Sequence, residues 1–184
     1  MLRIALVLVA VVSLCVTLCG CSGKPSASDN PPAATAPAAP AKPQFDFGTL
    51  ELVPKNGSGK EATLRLTFKG GSQKPVLIGL LIKDQQNGSN ACYAFHNMSN
   101  HDRSLVTDAG VGATSMGERK SVANNQCELV NEGSVAAAEQ DGITATFHIR
   151  FRPAFRGPKH IWVVPEDGSG NGPQMQAVGD WTVQ

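Results

Sequence analysis

The stretch Ile143-Thr144-Ala145-Thr146-Phe147-His148-Ile149-Arg150-Phe151-Arg152 decides the fold class. Its odd positions are apolar (Ile143, Ala145, Phe147, Ile149, Phe151), and its even positions (Thr144, Thr146, His148, Arg150, Arg152) are polar. Side chains of a strand point alternately to opposite faces, so this period of two predicts a strand with one face in a core and one in water. Ala62 to Lys69 repeats the pattern, with Ala62, Leu64, Leu66 and Phe68 inward and Thr63, Arg65, Thr67 and Lys69 outward. One wet face per strand is the signature of antiparallel sheets. Pro75 to Ile82 is apolar at nearly every position, which predicts a central strand covered on both sides.

Further short strands are predicted at Gly48 to Val53, Cys92 to His96, Ser104 to Thr107, Cys127 to Val130, His160 to Val164 and Gly179 to Val183. Between them lies turn chemistry: Asn56-Gly57-Ser58-Gly59, Gly70-Gly71, Asn87-Gly88, Asp141-Gly142 and the Gly-rich run Asp167 to Gly172. Many short strands at near-regular spacing, with almost no helical periodicity, predict an all-β antiparallel sandwich. Gly133 to Gln140 reads as a loop, although Ala136-Ala137-Ala138-Glu139 has some helix propensity.

The N-terminus has a different character. Arg3 precedes an apolar run from Ile4 to Leu18, broken only by Ser13 and Thr17. A basic front and an apolar core of about 15 residues make a signal peptide, shorter than the roughly 20 residues of a spanning helix. The run ends in Leu18-Cys19-Gly20-Cys21, which resembles the lipobox of bacterial lipoproteins. That resemblance implies cleavage of residues 1–20, acylation of Cys21 and a place in the cell envelope. Ser22, rather than Asp, after the Cys implies the outer membrane more than the inner. Two or three acyl chains give stable anchoring, since each buried methylene contributes about 0.8 kcal/mol. The alternatives are an ordinary secretory signal and an uncleaved anchor helix.

Residues 21–43 read as a lipidated Cys followed by a linker. Pro25, Pro31, Pro32, Pro37, Pro40 and Pro43 lie in it among alanines, with no aromatic residue. Such a segment buries too little apolar surface to offset its ordering entropy and is expected to be disordered. Fully extended, it spans roughly 70 Å. Residues 44–184 are then one β-sandwich domain. Without Arg3 the chain's 16 Lys and Arg fall level with its 15 Asp and Glu. A neutral chain lacks the basic surface that nucleic acid requires.

Export also bears on the cysteines. With Cys21 acylated, Cys92 and Cys127 remain as a pair in a compartment where disulfides form. Closing that span restricts the unfolded chain by roughly 3–4 kcal/mol. Two free thiols, a metal site and a catalytic Cys are the other readings, and no Cys-x-x-Cys is present.

Several segments in order resemble a module that recurs in large secreted proteins of soil bacteria, often beside immunoglobulin-like or fibronectin-like repeats. They are Asn90 to Tyr93, Leu105 to Gly110, Asn125 to Cys127, Phe151 to Ile161 and Val178 to Val183. The resemblance implies an Ig-like sandwich with the two Cys bonded and the Gly179-Asp180-Trp181-Thr182-Val183 strand packed into the core. It implies no reaction. The chain departs from the module at His96 to Arg103, where a more aromatic segment is usual, and at Gly172 to Gln176, where a Trp is usual.

No catalytic set is expected, so the chain reads as a non-enzyme without a cofactor. There is no Gly-x-Ser-x-Gly elbow, and His148 falls on the wet side of its strand. Asp108, Glu166 and Asp167 sit in turns without a calcium-loop pattern. His96, Met98 and His101, with Asp102 beside them, offer imidazole and thioether groups that suit copper. A polar hairpin loop is the plainer reading of that segment. Tyr93 and Trp162 are candidates for a small stacking surface. Two functions follow as expectations. The first is a membrane-anchored, non-catalytic binding or structural module for glycan or an envelope protein. The alternative is a periplasmic binder of copper or a small molecule through the His96–Asp102 loop.

Overall fold

The computed structural model describes residues 45–184. The expected signal peptide (1–20), the expected lipidation at Cys21 and the expected linker (to 43) lie outside the described residues. Twelve strands follow in order: β1 (Gly48–Val53), β2 (Asn56–Gly59), β3 (Glu61–Gly70), β4 (Leu77–Lys83), β5 (Cys92–Asn97) and β6 (Arg103–Val106); then β7 (Ala113–Ser115), β8 (Ser121–Ala123), β9 (Cys127–Glu139), β10 (Gly142–Phe151), β11 (Gly157–Glu166) and β12 (Gln176–Val183). The only helical turn among the described residues is 3-10, at Pro153–Phe155.

The strands form two sheets, one ordered β1-β3-β10-β9-β8 and the other β2-β12-β11-β4-β5-β6-β7. In immunoglobulin lettering the first carries A, B, E and D, and the second G, F, C, C′ and C″. The fold is therefore an Ig-like sandwich. Its core is the set of inward positions read from the alternation. Leu64, Leu66, Phe147 and Ile149 from one sheet meet Ile78, Leu80, Ile82 and Ile161 from the other, all at 0% exposure. Each such side chain contributes roughly 1.5–3 kcal/mol by leaving water. The Cys92–Cys127 disulfide joins β5 in one sheet to β9 in the other, with Cα atoms 5.5 Å apart.

Two sequence expectations are corrected, and two strands were not foreseen. Within Gly133 to Gln140, Val135–Glu139 is neither loop nor helix but the second half of β9, paired with β10 across the Gln140-Asp141 turn. Alanine's helix preference is a few tenths of a kcal/mol per residue and yields to that ladder. Asn56 to Gly59 is not a free turn. It forms edge strand β2, which runs parallel to β12, so the second sheet is mixed. A Cβ on Gly57 would lie 2.2 Å from a ring carbon of Trp181, and glycine is what lets the indole lie against the strand. Finally, β7 and β8 have three residues each, too short for any alternation to show.

β9 also carries a large bulge. Thr146 pairs with Val135 but His148 pairs with Val130, so Asn131–Ser134 loop out opposite Phe147. Gly133, at φ 84°, supplies the left-handed backbone the bulge needs. The His148 N–H donates to Ser134 Oγ (2.9 Å), and Arg103 Nη1 donates to the Ser134 carbonyl (2.7 Å). The bulge is thus tied to its own sheet and to β6 of the other.

Candidate functional site

The outer face of the seven-stranded sheet departs from the rule of one wet face. Trp162, Leu81 and Tyr93 are register partners across β11, β4 and β5, and Val164, Gly79 and Phe95 form the next row. Leu81 is at 0% and Val164 at 9% exposure, although both point away from the core. Their cover is aromatic, since the Trp162, Tyr93 and Phe95 side chains are half-buried on this face. The Tyr93 and Phe95 rings lie 4.4 Å apart at 45°. A Cβ on Gly79 would come within 2.7 Å of the Phe95 ring and 3.2 Å of Tyr93, so glycine allows both rings to settle onto the backbone. This is why Pro75 to Ile82 reads as apolar on both sides: β4 is central, and its neighbours' rings cover its second face.

Polar groups rim the patch. His160 meets Trp162 edge-on at 5.9 Å and holds the Asp180 carboxylate through Nδ1 at 2.7 Å. Burial, with the Glu166 charge adding to it, pushes the Tyr93 hydroxyl up to about 12. Tyr93 is therefore a neutral O–H donor at any physiological pH. Burial, and then Asp167, raises the Glu166 carboxyl above its ordinary value. The arrangement can stack a flat or apolar ligand face and hydrogen-bond at its margin. Among the described residues it brings together no nucleophile and base.

Tyr93 and Trp162, singled out in the sequence, thus stand in one row. Phe95 completes the patch and was missed, although alternation through Cys92-Tyr93-Ala94-Phe95-His96 places it on the face of Tyr93.

The candidate ligands of the His96–Asp102 loop lie in different surroundings. His96 is 3% exposed, on the inner face of β5, where Nε2 donates to the Thr146 carbonyl (2.9 Å) and the ring meets the edge of Phe147 at 4.5 Å. Burial, with a smaller push from Arg103, holds its imidazole down at about 4 against the Thr146 hydrogen bond. Met98 packs partly against the core, while His101 is exposed at φ 58°. No cluster of three His, Cys, Asp or Glu suited to a metal ion occurs among the described residues. A cavity of about 130 Å³ does lie beside this loop, lined by His96, Asn97, His101, Arg103, Val135 and Ala136.

The turn carboxylates serve the loops. Asp108 accepts from the Asn125 N–H (3.0 Å), Asp102 from Gly117 (3.3 Å), and Asp167 from Ser169 (2.8 Å) and Asn171 (3.0 Å). His148 is half-buried on the outer face of β10, with Nδ1 at 2.8 Å from the Glu132 carbonyl. Asn124, unremarked in the sequence, uses its whole amide beside the disulfide. Nδ2 donates to the Ala91 and Val106 carbonyls (2.9 and 3.0 Å), and Oδ1 accepts from Gln126 and Cys127 (both 2.9 Å).

A larger open groove of about 690 Å³ runs along β8 and β9. Its walls alternate Glu118, Glu128 and Glu132 with Arg119, Lys120 and Arg150, so it favours neither sign of charge.

Fold and disulfide together define an Ig-like β-sandwich with an aromatic patch on the outer face of its larger sheet. Comparison with protein families, with curated proteins and with solved structures finds no match.

Proposed function

We propose that this chain is a lipid-anchored protein of the bacterial cell envelope, acylated on Cys21, whose sandwich is a non-catalytic binding module of the kind found in large secreted bacterial proteins. Its working surface is the aromatic face, and its ligand is a glycan. The observation that carries the binding reading is the row Trp162–Leu81–Tyr93 with Phe95 beside it, a polar-rimmed apolar patch on a sheet face that would otherwise be wet. Stacking of aromatic rings against the apolar faces of sugars needs this geometry, with donors such as the Tyr93 hydroxyl at the edge. The lipobox-like Leu18-Cys19-Gly20-Cys21 supports the anchor, with the outer membrane favoured by Ser22. The Pro- and Ala-rich stretch supports a spacer that lifts the module from the bilayer.

The test is a glycan array with purified protein, followed by titration of each hit. Trp162→Ala and Tyr93→Ala should each weaken binding by about tenfold or more, since a stacked ring contributes on the order of 1–2 kcal/mol. Hits unaffected by both substitutions would refute the aromatic face. A blank array would refute the glycan and leave an envelope protein as the ligand of the patch.

A further inference from the structure

The second half of β9, Val135–Glu139, is an open sheet edge. β8 covers β9 only at Glu128–Val130, while Val135–Glu139 pairs with β10 on one side alone. The His148 N–H donates to Ser134 Oγ, so the even-numbered residues of β10 turn their backbone toward β9. In an antiparallel ladder alternate residues exchange hydrogen bonds. Val135, Ala137 and Glu139 therefore face β10, and Ala136 and Ala138 turn their N–H and C=O groups outward. These four groups have no backbone partner among the described residues.

Natural edges are blunted by Lys, Pro, brevity or a covering element. β7 and β8 are short, β2 has four residues, and Pro54 and Lys55 lie in the connection between the edge strands β1 and β2. Val135–Glu139 carries no Lys or Pro and no strand covers it; the bulge ends at Ser134, and the His96–Asp102 loop comes near only Val135 and Ala136. Val135 is 59% exposed, and Ala137, Ala138 and Glu139 are exposed beside it. Only its N-terminal end is closed, where Arg103 takes the Ser134 carbonyl.

We propose that this edge pairs antiparallel with the same edge of a second copy of the chain, about a two-fold axis at Ala137. The self-complementarity is in the placement. The outward groups lie symmetrically on either side of Ala137, so Ala136 exchanges both hydrogen bonds with the partner's Ala138, and Ala138 with the partner's Ala136. All four free groups are satisfied with none left over. Ala137 faces the partner's Ala137 as the close, non-hydrogen-bonded pair, where two methyl groups fit the approach of about 4.5 Å. Val135 faces the partner's Glu139, so no like charges are opposed. The result is an isologous interface that joins two five-stranded sheets into one. It uses the opposite sheet from the aromatic face and does not depend on the glycan reading.

The experiment uses the full chain, purified in detergent. Ala137→Cys, mildly oxidised, should give a disulfide-linked species of twice the mass on a non-reducing gel, while Thr49→Cys on β1 should not. Adding Ala136→Pro removes an outward N–H that β10 does not use and should abolish the cross-link, with an unchanged circular dichroism spectrum confirming the fold. Ala137→Lys, which opposes two charges at an exposed position, should weaken self-association by about tenfold or more in sedimentation. Cross-linking no greater than at Thr49→Cys, or surviving Ala136→Pro, would overturn the proposal. So would sedimentation indifferent to Ala137→Lys, or a cross-link to a different polypeptide.

Discussion

His96 is the residue whose environment departs furthest from its chemistry. An imidazole with an ordinary value near 6.5 is held at about 4, because burial between the sheets against Phe147, with a smaller push from Arg103, outweighs the opposing hydrogen bond to the Thr146 carbonyl. The unfolded chain therefore binds the extra proton between pH 6.5 and 4, and the folded chain does not. Its contribution to stability is fully present above pH 6.5 and is lost as pH falls toward 4, by about 3 kcal/mol in all. Urea unfolding at pH 7.5 and 4.5 checks this: His96→Gln should lose much less stability between the two than the natural protein. Equal losses would remove His96 as the cause. Gly57→Ala gives a second outcome at this scale. The new methyl meets the Trp181 ring at 2.2 Å, so the melting temperature should drop by an amount corresponding to about 1–3 kcal/mol. Neither residue was legible as such. Alternation with Cys92 and Ala94 puts His96 on the inner face, but its depth there and its Thr146 acceptor on β10 are not local properties, and Gly57 looks like turn chemistry until Trp181 is placed above it.

At the level of elements, alternation was readable wherever a strand had one dry and one wet face. Every inward position assigned to Ile143–Phe151 is in the core. The reading failed at β9 because its second half lies on an edge, with small side chains and a bulge before it. A ladder partner makes Val135–Glu139 a strand, and that partner is not a local property. β5, β9 and the disulfide between them should behave as one clamp. Cys92→Ala with Cys127→Ala should cost roughly 3–4 kcal/mol in denaturant unfolding, through the freedom returned to the unfolded chain. Asn124→Ala should cost about 2–3 kcal/mol by leaving the Ala91 and Val106 carbonyls and two N–H groups without their partner. If the Asn124 variant melted like the natural protein, water would have to replace that amide, and the clamp would rest on the disulfide alone. The aromatic patch was half legible: Tyr93 and Trp162 stood out as residues, but their alignment depends on β11, β4 and β5 lying side by side.

For the whole molecule, the proposed anchor rests on the sequence and the fold rests on the structure. The sandwich derives its stability from a buried inter-sheet core and a cross-sheet disulfide, and its outer faces are free to specialise. One carries the aromatic patch and the other a balanced mixture of charge. On the proposed reading the chain is held to a membrane by a lipid on Cys21. No helix among the described residues is long and apolar enough to cross a membrane, and the N-terminal apolar run is read as cleaved. Membrane fractionation of cells producing the natural protein and Cys21→Ser tests this most directly. The natural chain should be found in the membrane pellet, released by detergent and not by salt, and the Cys21→Ser chain in the soluble envelope fraction or left unprocessed. A fully processed Cys21→Ser protein that stayed in the pellet through a salt wash would contradict it.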